Sequence, residues 1–266
     1  MTRAARVLLI AVVLSSCSGS ATSTPQPPEL TIFAAASLKQ VLEKAITVYV
    51  APGPDPTFVL STGSSTALRT QIEESARADV FLSADTINPQ LLVDHAIADG
   101  VAVPFASNTL VIIVPKDNPA AITTPADLGQ PGVRIIAAGD EVPITTYAAQ
   151  VIENLAATNG YPSGFAAAYA SNVVSREESV AAVVAKIELG EGDAAIVYVT
   201  DATASSGVTT IEIPDAANVR ATYAGVVIGD ITEAPDQVAA AHAFLDWLAG
   251  SRGRAVLEEF GFQPPP

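Results

Sequence analysis

Four short stretches combine small, hydroxyl-bearing or proline residues with the expected start of a helix. They are Ala36-Ser37-Leu38, Gly63-Ser64-Ser65-Thr66, Val142-Pro143-Ile144-Thr145 and Glu178-Ser179-Val180. The first turn of a helix leaves backbone N–H groups without an intrahelical acceptor, and the aligned peptide dipoles place partial positive charge there. Such ends hold anions with no cationic side chain. In open α/β sheets ligands sit beyond the carboxyl ends of the strands, which is where these four loops are expected. Each serine taken singly is equally an ordinary N-cap, and spacing alone does not show that the four ends converge.

Catalytic chemistry is poorly supplied by comparison. The two histidines, His95 and His242, fall within amphipathic helical patterns and read as surface or core residues. The stretch 62–66 lacks the G-x-S-x-G spacing of a nucleophile elbow and the lysine of a phosphate-binding loop. Asp85, Asp140, Glu177, Glu178 and Asp201 lie near expected loops, where acids are common. The four lysines beyond the leader, at 39, 44, 116 and 186, belong to no cofactor-attaching motif. The single cysteine, Cys17, leaves no Cys/His cluster for zinc. No catalytic residue, cofactor or resident metal is therefore expected.

The chain has 266 residues, 49% of them apolar and only 15% charged, enough for one large domain or two lobes. A formal charge of −15 argues against a nucleic-acid partner, which needs clustered Lys and Arg. It does not argue against a small anion, because local dipoles outweigh a distant net charge. No tandem repeat and no heptad pattern is visible.

At the N-terminus, Arg3 and Arg6 precede an apolar run over 7–14. The run is far shorter than the ~20 residues of a membrane-spanning helix and fits the apolar core of a secretory signal over 1–16. Leu14-Ser15-Ser16-Cys17 resembles the bacterial lipobox, which makes Cys17 the expected lipid-carrying residue. The stretch 18–28 is polar and Pro-rich and reads, with Cys17, as a tether over 17–28. Flexible chain of that length spans roughly 18 Å root-mean-square. The expected location is extracytoplasmic, anchored to the cell membrane as a lipoprotein.

The elements that must position the four loops alternate along the rest of the chain. Strands are expected over 30–34, 57–60, 79–82, 109–114, 134–136, 172–174, 194–199, 209–213 and 222–228. Helices are expected over 38–49, 66–77, 89–95, 144–158, 177–189, 235–249 and 252–260, with Ser37 capping the first. This alternation predicts α/β layers with largely parallel strands. Apolar runs such as Leu110–Val114 suit strands covered on both faces.

Three motifs in order give the chain a specific resemblance. Phe33-Ala34-Ala35-Ala36-Ser37-Leu38, then Ala78-Asp79-Val80-Phe81-Leu82-Ser83-Ala84-Asp85, then Ala195-Ile196-Val197-Tyr198 are similar to motifs of the periplasmic molybdate-binding proteins of ABC transporters. Gly63-Ser64-Ser65-Thr66-Ala67-Leu68, Gly139-Asp140-Glu141-Val142-Pro143 and Phe260-Gly261-Phe262 extend the match over about 30–262.

The resemblance implies a type II periplasmic solute-binding fold: two α/β lobes with mixed, largely parallel sheets around a ligand cleft. The implied lobes are 29–110 with 222–266, and 111–221. It also implies the site. Ser37 and Ser65 would offer hydroxyl and backbone N–H, Ile144 and Val180 a backbone N–H each, and Tyr198 its phenol, all to molybdate or tungstate. The only metal would be that of the bound oxyanion. Ile144 is bulkier than the residue usual in the family, Thr145 and Thr146 could add hydroxyls that the pattern does not require, and the sequence does not tell whether Glu177 or Glu178, near the second-lobe site, approaches the metal. An ABC permease and its ATPase are the implied partners of a monomeric binding protein. The alternatives are an enzyme on a related bilobal fold, or a binder of another small solute such as sulfate or ferric iron.

Overall fold

The computed structural model describes residues 27–229 and 235–266. The expected signal over 1–16, the lipidation residue Cys17 and all but the end of the tether lie outside the described residues. The chain begins with β1 (Glu29–Ala35), a 3₁₀ turn (Ala36–Leu38), α1 (Lys39–Val48), β2 (Thr57–Gly63), α2 (Ser65–Glu73), β3 (Val80–Ser83), α3 (Ile87–Asp94) and β4 (Ala98–Asn108). It continues through β5 (Leu110–Pro115), a second 3₁₀ turn (Pro125–Gly129), β6 (Ile135–Ala138), α4 (Pro143–Ala157), α5 (Phe165–Asn172), β7 (Val173–Glu177) and α6 (Val180–Glu188). It ends with β8 (Ala195–Tyr198), α7 (Val199–Ala204), β9 (Val208–Ile211), β10 (Ala221–Ile228), α8 (Pro235–Ala249) and α9 (Ser251–Glu259).

The strands form one five-stranded sheet in the order β2-β1-β3-β10-β4 and two smaller ones, β8-β5-β9 and β6-β7. The smaller two meet at a parallel bridge between Ile135 and Ala194, where the Ile136 N–H donates to the Ala194 carbonyl at 3.0 Å. Taken through that bridge, their order is β7-β6-β8-β5-β9, the same layout as the first sheet. In each, three strands joined by helices are followed outward by a strand running against them. No sequence repeat announces this second use of one topology, because matching burial requires only apolar residues at matching places.

Orientation is mixed. β1 pairs parallel with β2 and β3, and β6 parallel with β7. β10 runs antiparallel to β3 and β4, and β5 antiparallel to β8 and β9. β5 and β10 are the strands that enter a sheet from the other one, and each arrives reversed. The two crossings run side by side. Asn218 donates through Nδ2 to the Leu110 carbonyl at 2.8 Å and accepts the Leu110 N–H at 3.1 Å, and Ala221 pairs with Asn108.

The core follows the apolar pattern. β5 is buried at every position, and α1 buries Val41, Leu42 and Ala45 behind Leu38. Three features depart from expectation. β4 is a full strand, hidden in the sequence by Gly100 (φ 98°) and by Pro104, which sits where the pairing with β10 slips by a residue. Glycine and proline are tolerated at such irregular strand positions. The helix expected over 177–189 starts instead at Val180, because β7 extends to Glu177. The Ala-rich α5 and the six-residue α7 carry too little apolar periodicity to be read in advance. No helix among the described residues is long and apolar enough to cross a membrane.

Candidate functional site

β1 runs into the 3₁₀ turn through Ala34 and Ala35, both buried, so the backbone at this corner has no side-chain bulk around it. Ser37 lies inside the turn and not at its cap, which is Ala35. The expected capping role is therefore not the one its side chain plays: Oγ lies 3.0 Å from the Tyr223 hydroxyl. A 3₁₀ turn tightens the chain ahead of α1 and moves the helix start to Lys39.

The other three ends form as expected, shifted by a residue or two. Ser64 is the N-cap of α2 but makes no side-chain capping bond, and Ser65 follows it. Ser65 Oγ accepts the Ala84 N–H at 3.1 Å, which ties it to the end of β3 and leaves its proton to donate elsewhere. Val142 caps α4, with Pro143 in the first turn, where its missing N–H has no cost. Ile144 is buried beside it. Ser179 caps α6 by accepting the Ala182 N–H at 3.3 Å, and Val180 opens that helix. Tyr198 ends β8 at the cap position of α7 and is 1% exposed.

These ends converge. Ser37, Ser65, Ile144, Val180 and Tyr198 all line one cavity of about 10 Å³, with Ser64 and Ser179 beside them. Among the described residues no charged side chain lines it. A space this small is about that of one water, so sugars, nucleotides and peptides do not fit it, and a larger solute enters only as the surrounding ends move apart.

The polar groups around the cavity are donors in surplus. The Tyr198 hydroxyl and Ser64 Oγ are buried and have no hydrogen-bond partner among the described residues. Leaving such a group unpaired costs ~1–3 kcal/mol, so native structures rarely do so without a purpose. The first backbone N–H groups of α2, α4 and α6 lack acceptors within their own helices. Burial, the largest cause, holds the hydroxyls of Tyr198 and Tyr223 well above the ordinary tyrosine range, so both stay protonated. Tyr147 is pushed up to about 12 by burial and the nearby Asp85. Behind the cavity lining, the Tyr198 ring meets those of Tyr147 and Tyr223 edge to face, with centroids 6.4 and 5.6 Å away. Such a pocket suits a solute that carries acceptors only.

The carboxylates named from the sequence stand away from it. Glu177 lies 2.9 Å from Lys186. Burial alone would raise its carboxyl, but hydrogen bonds from Ser175 and Lys186 outweigh burial and hold it below the ordinary value. Glu178 is exposed and, like Glu177, does not line the cavity. On the question the sequence left open, β7 carries Glu177 to the Lys186 side and neither carboxylate reaches the cavity lining. Asp140 pairs with Arg176, and Asp85 accepts the Asn88 N–H. His95 and His242 pair with Glu73 and Asp99. The Thr145 hydroxyl is taken by the Gly139 carbonyl at 2.7 Å, so it is not spare. Among the described residues no group of acids, histidines and cysteines is arranged to hold a metal ion.

Sequence reasoning missed Tyr223 and Ser64. Tyr223 sits in an apolar strand run with nothing to mark its hydroxyl. Ser64 was visible only as a neighbour of Ser65.

Residues 30–263 match the family of bacterial extracellular solute-binding proteins. The chain is 32% identical to the molybdate-binding protein ModA of Mycobacterium tuberculosis, over 97% of this chain and 95% of that one. The periplasmic molybdate-binding protein of Azotobacter vinelandii superposes with a TM-score of 0.71 at 22% identity, covering 89% of this chain and all of that one. The sulfate-binding protein SubI of Mycobacterium tuberculosis superposes with a TM-score of 0.76 at 18% identity, covering 89% and 87%.

Proposed function

Since the chain belongs to the bacterial extracellular solute-binding proteins, and within them to the molybdate-binding proteins, we propose that its uncharged cavity captures molybdate, and tungstate with it, for an ABC importer. It is a transport binding protein and not an enzyme, needs no cofactor, and works outside the cytoplasm with a permease and its ATPase. The observation that carries the oxyanion reading is the buried, partnerless Tyr198 hydroxyl facing a cavity of backbone and hydroxyl donors.

Ser37, Ser65, Ile144, Val180 and Tyr198 hold the anion in this reading. Two segments, 29–110 with 222–266 and 111–221, act as lobes that close on it about the paired crossings. Hydrogen bonds to a charged group contribute ~1.5–3 kcal/mol each. About seven donors therefore exceed the ~8 kcal/mol of micromolar binding, and anion desolvation and lobe ordering consume the excess. The absence of a fixed positive charge lets the anion leave again.

Selectivity follows from a pocket that only donates. Phosphate near neutral pH carries a proton that finds no acceptor, a mismatch of the kind that rejects strongly. Sulfate carries no proton but is smaller, so donors set for molybdate stand too far from its oxygens. Tungstate is nearly isosteric with molybdate. A ferric site is disfavoured because Tyr198 is the sole tyrosine among the described residues lining the cavity. Cys17 carries the lipid that keeps the monomer at the outer face of the membrane.

Calorimetric titration with molybdate, tungstate, sulfate and phosphate tests the reading. Molybdate and tungstate are expected to bind alike, with sulfate and phosphate weaker by at least about tenfold, or ~1.4 kcal/mol. Equal affinity for sulfate and molybdate would remove the size argument.

A further inference from the structure

The hydroxyl of Thr66 donates to the carbonyl of Glu141 at 2.6 Å, and the two residues stand 75 positions apart. Thr66 lies in the first turn of α2, which packs on the first sheet through β1, β2 and β3. Glu141 lies between β6 and α4, which belong to the second. The bond thus joins the two sheets beside the cavity: Thr66 follows Ser65, and Glu141 precedes the Val142 cap. Neither residue lines the cavity itself.

A relay behind Thr66 sets the direction of this bond. Arg69 Nε donates to Asn88 Oδ1 at 2.8 Å. Because arginine only donates, the Asn88 amide must turn its nitrogen the other way. That nitrogen donates to Asp85 Oδ2 at 2.7 Å and to Thr66 Oγ1 at 3.2 Å. Asp85 in turn accepts from Ser83 Oγ and from the Asn88 N–H. Thr66 therefore receives a proton from behind and has a single proton of its own, directed at Glu141. The receiving loop is equally constrained. The Gly139 N–H donates to the Glu177 carbonyl at 2.8 Å, and the Val142 N–H donates to the Gly139 carbonyl at 3.0 Å.

We propose that Thr66 is a positioning residue whose hydroxyl, aimed by Asn88, latches the two halves together and sets how slowly the captured oxyanion is released. The bond forms only when the halves meet, so it adds nothing to encounter and acts on dissociation. The proposal rests on the oxyanion reading for its ligand but not for its geometry.

Stopped-flow kinetics with molybdate on the wild type, Thr66→Val and Thr66→Ser test it. Valine keeps the shape and removes the donor; serine keeps the donor. Thr66→Val should raise the dissociation rate about fivefold, the worth of one net hydrogen bond, with the association rate unchanged, and Thr66→Ser should restore slow release. A dissociation rate for Thr66→Val equal to wild type overturns the latch. A general loss of fold would show in both rates and would not be rescued by serine. If the wild type binds no molybdate, the oxyanion reading fails, and the latch is then read without ligand. Spin labels at Lys44→Cys and Glu153→Cys in a Cys17→Ser background report the separation of α1 and α4. A longer mean distance in Thr66→Val supports the latch, and an unchanged distance overturns it.

Discussion

The Tyr223 hydroxyl and Ser37 Oγ lie 3.0 Å apart, joining the strand that returns from the second sheet to the turn that leaves β1. Either hydroxyl can supply the proton of that bond; where the phenol donates, the proton of Ser37 is left for the cavity. Tyr223, kept protonated by burial, thus positions the serine although it does not line the site. Tyr223→Phe is expected to weaken molybdate binding about fivefold, the equivalent of one neutral hydrogen bond. Ser37→Ala is expected to weaken it by about tenfold or more, as for a bond to a charged acceptor. Calorimetry on both variants checks the order, and a larger effect from Tyr223→Phe would reverse the assignment of roles.

Tyr198 makes stability and binding pull apart. Its hydroxyl is buried without a partner among the described residues, so the ligand-free fold carries the cost of dehydrating it. Tyr198→Phe should raise the stability of the ligand-free protein by about 1 kcal/mol while lowering molybdate affinity by ~1.5–3 kcal/mol. Urea unfolding without ligand, set beside calorimetry with it, reads both signs. A variant that loses stability and keeps affinity would place the hydroxyl outside the site.

The parts of this fold that show in the sequence are those where one residue type answers to one physical demand. The run Leu110–Val114 reads as a buried strand because both its faces are covered, and α1 reads from Leu38, Val41, Leu42 and Ala45. The helix starts at Ser65 and Pro143 read from cap chemistry. β4 does not read, since Gly100 and Pro104 look like breakers until β10 is seen to accommodate a slip beside Pro104. Convergence of the four helix ends is a property of the sheet order, which no local pattern carries. The role of Tyr223 is hidden for the same reason: it meets Ser37 across 186 residues.

The corner between α8 and α9 has no room for a side chain. A Cβ at Gly253 would fall well inside contact distance of the Leu248 backbone and the Trp247 carbonyl, neither of which yields like a side-chain tip. Gly253→Ala is therefore expected to destabilise by ~1–3 kcal/mol through overpacking, despite the better helix propensity of alanine. A melting temperature lower by several degrees, about 2–4 °C per kcal/mol for a chain of this size, checks it. An unchanged or higher value would mean that α9 shifts freely against α8.

Asp201 gives the fold a pH dependence of unusual sign. Its Oδ2 is buried without a partner among the described residues, and burial pushes the carboxyl up to about 7 against a hydrogen bond from the Tyr198 backbone that lowers it. Around it stand the buried Tyr198 and Tyr223 hydroxyls. Lys39 on α1, Glu188 on α6 and Glu259 on α9 share the neighbouring cavity of about 340 Å³. An aspartate in the unfolded chain loses its proton near its ordinary value of 3.8, so between that pH and about 7 the folded state binds the extra proton. Stability contributed by this group therefore falls as pH rises across the window, by up to ~4 kcal/mol in total, and levels off above it. Glu177 and Asp127, both held below their ordinary values, act in the opposite sense, and only in acid. Asp201→Asn keeps an acceptor for the backbone and cannot ionise. Urea unfolding of both proteins at about pH 4.5, 6 and 8 should show Asp201→Asn gaining on the wild type with each step until the neutral range. A stability difference that stays constant across those three conditions would mean that Asp201 titrates like an exposed acid and is not held dry by the folded chain.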